Sequence, residues 1–225
     1  MFPLKDDNPR HGPAFVMWVL IAINLVAFIV GLSGTRREAF EFVTTYGFVP
    51  QQFFDDPTSN AYRLVTSMFL HGGLAHILGN MFFLFVFGDN IEDRMGHVTF
   101  LGFYLVAGVL ATLLHGIFSA ESTRPMIGAS GAVSAILGAY IVLFTRRRVL
   151  TFIPPFFVFW LPAWFYIGYW ALLQFFEATR GLFMPEQAAM SAVAWWAHLG
   201  GFVVGVVAVR FLVSKDDIPR QSPLA

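Results

Sequence analysis

Ser130 stands between glycines in Gly128-Ala129-Ser130-Gly131, at the head of an apolar run. A serine hydroxyl is a weak nucleophile until a neighbouring base takes its proton. Few side chains in this chain could be that base, or steady the anion that attack creates. They are His76 and Asn80 in one apolar segment, His115 in the next and His198 in the last. The absence of cysteine excludes a thiol nucleophile, disulfides and thiolate metal sites. A zinc protease would need His-Glu-x-x-His, which does not occur. A membrane aspartyl protease would need two aspartates within spans, and the sequence offers no such pair. His71, His76 and His198 could bind a metal, but they have no acidic ligand near them in sequence, so no metal is expected there, and no cofactor is implied.

These residues need elements to carry them. Of 225 residues, 57% are hydrophobic and only 12% charged, against about a quarter charged in soluble domains. That is a membrane composition, and the zero net charge gives no case for nucleic acid. Apolar runs predict six spans, at about 14–33, 73–88, 98–118, 127–145, 153–176 and 190–213. The first is too long for the apolar part of a cleavable signal. Residues 1–13 and 214–225 read as polar tails flanking one domain over 14–213. The connection 34–65 mixes charges (Arg36, Arg37, Glu38, Glu41) with aromatics (Phe40, Phe42, Tyr46, Phe48), a composition suited to the lipid–water interface. The expected fold is therefore all-α: a six-helix membrane bundle with a long interfacial loop between spans 1 and 2. An even span count puts both termini on one side. Lys5, Arg10, Arg94, Arg210, Lys215, Arg220 and the Arg146-Arg147-Arg148 cluster predict that this side is the cytoplasm.

Depth and face then bring the polar residues together. Ser130 lies 16 residues before Arg146, and His198 lies 12 before Arg210. At the rise of a helix those separations are roughly 24 and 18 Å. His76 and Asn80 lie 13 and 9 residues before Asp89, or roughly 20 and 14 Å. Ser130, His76 and His198 thus share one layer, with Asn80 a turn below. On span 4, Ser130, Ser134 and Gly138 form a stripe of small residues, and His198, Gly201 and Gly205 form another on span 6. Such stripes let helices approach closely in lipid. If they face each other, a nucleophile meets a base. Free N–H groups at the helix start, with His76 and Asn80, would then stabilise an oxyanion. No aspartate or glutamate lies in the layer to orient the base. The residues read as a Ser130–His198 dyad for acyl transfer.

Blander readings compete. Gly-Ala-Ser-Gly alone is an ordinary packing sequence, and it is not the strand-borne Gly-x-Ser-x-Gly elbow. His115, His97 and His11 read as structural or boundary residues, His76 and Asn80 could be hydrogen-bonding glue between helices, and the aromatic fifth span reads as lipid contact. A transporter would want matching broken halves, which do not occur.

Four stretches in order resemble the rhomboid intramembrane serine proteases in their bacterial six-span form. They are Tyr62-Arg63-Leu64 to His71; His71-Gly72-Gly73-Leu74-Ala75-His76-Ile77-Leu78-Gly79-Asn80 with Ile91-Glu92-Asp93-Arg94; Gly128-Ala129-Ser130-Gly131 with Gly138; and Ala197-His198-Leu199-Gly200-Gly201 with Gly205. The resemblance implies Ser130 as nucleophile and His198 as general base. It implies an oxyanion held by His76, Asn80 and the Ser130 N–H, with His71 at the outer edge of the site. It further implies an embedded first loop over 34–65, structural roles for Glu92 and Arg94, and span 5 as a mobile wall beside which a substrate helix enters. Pro154-Pro155 and Pro162 suggest a bent helix there. The implied partners are transmembrane protein substrates in a lipid bilayer, and the implied home is a bacterial inner membrane. The alternative is a catalytically silent member that binds membrane-protein clients. One departure is Ser134: many members carry an aromatic there, packed on the catalytic histidine.

Overall fold

The computed structural model describes residues 1–9, 12–184 and 193–213. Arg10, His11, Lys215, Arg220 and the expected tail 214–225 lie outside them. In chain order the elements are β1 (Phe2–Asp6), α1 (Phe15–Leu32), α2 (Arg36–Tyr46), α3 (Pro50–Asp55), α4 (Pro57–Asn60), α5 (Arg63–Thr66) and a 3-10 turn (Ser67–Phe69). There follow α6 (Leu74–Met95), α7 (His97–Phe118), α8 (Ser130–Leu143), β2 (Arg148–Ile153), β3 (Phe157–Pro162), α9 (Ala163–Phe183) and α10 (Trp195–Leu212). Among the described residues, α1, α6, α7 and α10 are long and apolar enough to cross a membrane. Helix α8 is a shorter apolar helix of 14 residues.

The fold is mostly helical rather than all-α. Three strands form one antiparallel sheet in the order β1-β2-β3. Two expectations change with it. The opening residues, read as part of a polar tail, are a strand paired with β2 from Phe2–Phe152 to Asp6–Val149. The start of the expected fifth span is a hairpin, and its helix begins only at Ala163. Prolines explain the second change. Pro154 and Pro155 lie in the turn between β2 and β3, and Pro162 caps α9, positions where a missing N–H costs least. They end elements rather than bend a helix. A short apolar run does not declare by periodicity whether it is strand or helix.

The connection after α1 is helical in short pieces. Thr35 and Glu38 cap α2 reciprocally, with Thr35 N donating to Glu38 Oε2 at 2.6 Å and Glu38 N to Thr35 Oγ1 at 3.3 Å. Pro50 and Pro57 start α3 and α4. Phe48 and Met126 exchange backbone hydrogen bonds at 3.0 and 2.7 Å. That bridge ties the connection to the segment leading into Ser130.

At the opposite end the buried Glu92 of α6 accepts the backbone N–H groups of Val16 and Met17 at 2.8 and 2.7 Å. A carboxylate there satisfies the free donors of the α1 start and complements its dipole. Arg94 lies over the Phe144 ring at 5.8 Å. Strand β1 docks at this same end. Asp6 accepts from Asn90 Nδ2 at 2.9 Å and from the Tyr140 hydroxyl of α8. Burial, reinforced by Asp89 and Asp7 and opposed by the Tyr140 bond, pushes the Asp6 carboxyl up to about 7.

Helix α8 sits at the centre, buried on almost every side. It packs most extensively on α10, and the two run parallel with their backbones in contact. A Cβ added at Gly205 would lie 1.9 Å from the Ala135 carbonyl oxygen, and one at Gly201 2.0 Å from that of Gly131. One at Gly138 would lie 2.1 Å from the Phe202 carbonyl oxygen. Only glycine fits this seam.

Two outcomes follow. Gly205→Val costs about 3 kcal/mol of stability, read as a lowered melting temperature in detergent, whereas Gly102→Ala, with open space around it inside α7, leaves that temperature unchanged or raises it. Asp6 titrates higher in the folded chain than in the unfolded one, so its contribution is fully present below about pH 4 and is lost as pH rises through about 7. Stability measured against pH therefore falls across that window, and Asp6→Asn flattens the fall.

Candidate active site

Ser130 is the first residue of α8, half-buried, where the backbone N–H groups of the opening turn have no partner within the helix. Gly128, with φ +126°, makes the turn that aims the chain into the helix, and its N–H donates to the Ser67 carbonyl at 2.9 Å. His198 lies in the first turn of α10, also half-buried. The seam sets the two at the same end of the α8–α10 contact: Gly131 packs toward the Ala197 carbonyl, 3.7 Å from an added Cβ, and Gly201 against Gly131. Phe118 of α7 stacks on Trp196 at 3.8 Å and holds the start of α10.

On the other side of Gly128 stand His76 and Asn80 of α6. A Cβ at Gly128 would lie 2.8 Å from His76 Nε2 and 3.7 Å from Asn80 Nδ2. Gly72 N donates to His76 Nδ1 at 3.4 Å, which leaves Nε2 as the ring's N–H donor. Asn80 is buried, and its Nδ2 has no hydrogen-bond partner among the described residues. A buried amide donor left unmade costs stability. His71 precedes α6, its ring edge-on to His76 with centroids 5.0 Å apart. Burial, with the His76 ring adding to it and a weak Phe69 backbone contact opposing, pushes the His71 imidazole down to about 4. At neutral pH it is uncharged. A cavity of about 10 Å³, room for a single water, borders Ser130, Gly128, Ile127, Ala194 and Ala197.

Two residues were missed from sequence. Gln174 of α9 is buried, and its Oε1 is 2.8 Å from His198 Nδ1. Its one sequence signal is a lone amide in an aromatic-rich run. Asn24 of α1 is buried and donates to the Leu20 carbonyl at 2.8 Å. Ser134 donates its hydroxyl to the Ser130 carbonyl at 2.6 Å. His115 keeps a buried Nδ1 without a partner among the described residues, within electrostatic reach of His198. No group of three His, Asp or Glu side chains that could hold a metal occurs among the described residues.

These features define a multi-pass helical membrane protein that gathers a serine, three histidines and an unpaired amide at one end of its bundle. Residues 58–215 match the rhomboid domain, and the chain belongs to the rhomboid family. It is 25% identical over 226 residues to Rhomboid protein 1, mitochondrial, of Saccharomyces cerevisiae, covering 96% of this chain and 61% of that one. It is 32% identical over 180 residues to the presenilin-associated rhomboid-like protein, mitochondrial, of Bos taurus (74% of this chain, 44% of that one). To RHOMBOID-like protein 6, mitochondrial, of Arabidopsis thaliana it is 36% identical over 78 residues, 35% of this chain and 25% of the relative. The chain thus spans between a quarter and about three-fifths of the length of these relatives.

The unpaired Asn80 amide separates a functional from a structural role. Asn80→Leu removes a buried polar group that no partner satisfies, so it leaves the melting temperature in detergent unchanged or raises it. A fall of several degrees would mark Asn80 as glue between helices.

Proposed function

We propose that this chain is an intramembrane serine endopeptidase that hydrolyses peptide bonds in or near transmembrane segments of other membrane proteins. The observation that supports the reading is the glycine seam, along which α8 and α10 pack backbone against backbone. Ser130 Oγ attacks the peptide carbonyl carbon while His198 takes the hydroxyl proton at Nε2. The tetrahedral oxyanion accepts hydrogen bonds from the Ser130 N–H, His76 Nε2 and Asn80 Nδ2. As the C–N bond breaks, His198 returns the proton to the leaving amine, and an ester on Ser130 remains. Water, deprotonated by His198, attacks that ester, releases the acid and regenerates the hydroxyl. No metal or cofactor takes part. His71 borders the site from outside the span.

In this reading α8 and α9 join the four long helices to make six spans, and α2 to α5 form a loop seated at the membrane interface. The N-terminus and Arg94, Arg147 and Arg148 lie at one end of the bundle, which supports both termini on the cytoplasmic side. The expected bacterial inner membrane draws no support from the relatives, whose names are mitochondrial. A substrate helix must unwind locally to expose a peptide bond, since its carbonyls are otherwise bonded within the helix.

The test is cleavage of a single-span substrate by purified protein in detergent. The parent cuts, and Ser130→Ala and His198→Ala each lose the activity by roughly a thousandfold or more. Equal cutting by Ser130→Ala would put the nucleophile elsewhere. A folded parent that cuts no substrate would favour the binding of membrane-protein clients instead.

A further inference from the structure

His198 is gripped by α9, and the grip specifies its proton. Gln174 Nε2 donates to the Trp170 carbonyl one turn earlier at 3.1 Å, so the amide oxygen faces the imidazole. That oxygen can only accept. The imidazole proton therefore sits on Nδ1, 2.8 Å from Gln174 Oε1, and Nε2 keeps its lone pair. The Trp170 and Trp195 rings flank the imidazole, with centroids 6.2 and 5.9 Å away. Ser134, at the position where the resemblance leads one to expect an aromatic holder, spends its hydroxyl on the Ser130 carbonyl.

We propose that Gln174 is the positioning residue for the Ser130–His198 pair, fixing the tautomer and ring orientation of the base from α9. The inference rests on the proteolytic reading above. It assigns to a neutral amide the task that a carboxylate performs in a triad, holding the ring without neutralising the imidazolium that forms during attack. It also makes the base dependent on where α9 sits. Much of the outer surface of α9 is exposed aromatic, including Trp164, Tyr169 and Phe176. Any displacement of α9 from α10 stretches the Gln174–His198 bond and releases the base from its working tautomer until α9 returns.

The test combines two readouts on the full chain in detergent. Histidine ring ¹⁵N NMR, with the His198 signal assigned by its loss in His198→Ala, reports the tautomer without reference to activity. Cleavage of a single-span substrate is followed for kcat and KM between about pH 5 and pH 9. In the parent, His198 carries its proton on Nδ1. In Gln174→Leu that preference is lost, and kcat falls roughly 10- to 100-fold while KM stays within about twofold. Gln174→Glu keeps the acceptor and moves the acidic limb of the pH–rate profile up by about one unit, because a carboxylate beside the ring favours its protonated form. That shift is one which a merely structural residue would not produce, and it decides the matter should Gln174→Leu fail to fold. A folded Gln174→Leu with parental tautomer, kcat and pH profile would overturn the inference and leave the protease reading intact. An unmoved acidic limb in Gln174→Glu would do the same. A parent that holds the Nδ1–H tautomer yet cuts nothing would overturn the protease reading, and the positioning role with it.

Discussion

Backbone touching backbone between α8 and α10 is the constraint on which the rest of the molecule depends. Lipid tails are as apolar as leucine, so burying apolar surface does not by itself draw two spans together. What does is dispersion between surfaces close enough to interlock, and glycine at Gly138, Gly201 and Gly205 permits that closeness. Everything chemical follows from this approach. Ser130 begins one helix, His198 lies in the first turn of the other, and a separation larger by one methyl group would part them. The Phe48–Met126 bridge and the Gly128 turn then fix the angle at which the chain reaches Ser130.

Around that seam the polar groups divide by whether their bonds are made. Glu92 is satisfied by two N–H groups of α1. That pairing holds the bundle. Asn80 is different, since its amide faces the turn before Ser130 with nothing to donate to. A fold tolerates such a cost where the missing acceptor arrives with a ligand. At the other end of the bundle Asp6 draws strand β1 onto Asn90 and Tyr140. The sheet thereby closes the end of the bundle opposite to the site.

Much of the site was legible because its signals are local. Small residues at helical spacing on two spans predicted the faces that meet. A depth count from Arg146, Arg210 and Asp89 put Ser130, His198 and His76 in one layer, with Asn80 a turn below. What escaped was set by distant partners. Asp6 bonds to Tyr140, 134 residues away, and nothing within the first thirteen residues announces a strand. The apolar hairpin 148–162 has the hydrophobicity of a span, and only its prolines, which cannot donate to a helix, marked it as something else. Gln174 gives no pattern in the sequence, being one amide among aromatics. Its meaning lies wholly in the His198 nitrogen it faces.

In the proposed protease the α8–α10 seam makes Ser130 a nucleophile activated by His198. The most direct measurement is the reaction of the purified protein with a fluorophosphonate, which bonds covalently to an activated serine, followed by mapping of the modified residue. One adduct is expected, on Ser130, and its formation collapses when His198 is replaced by alanine. Absence of an adduct in folded protein, an adduct on another serine, or equal labelling of the His198→Ala variant would contradict that activation.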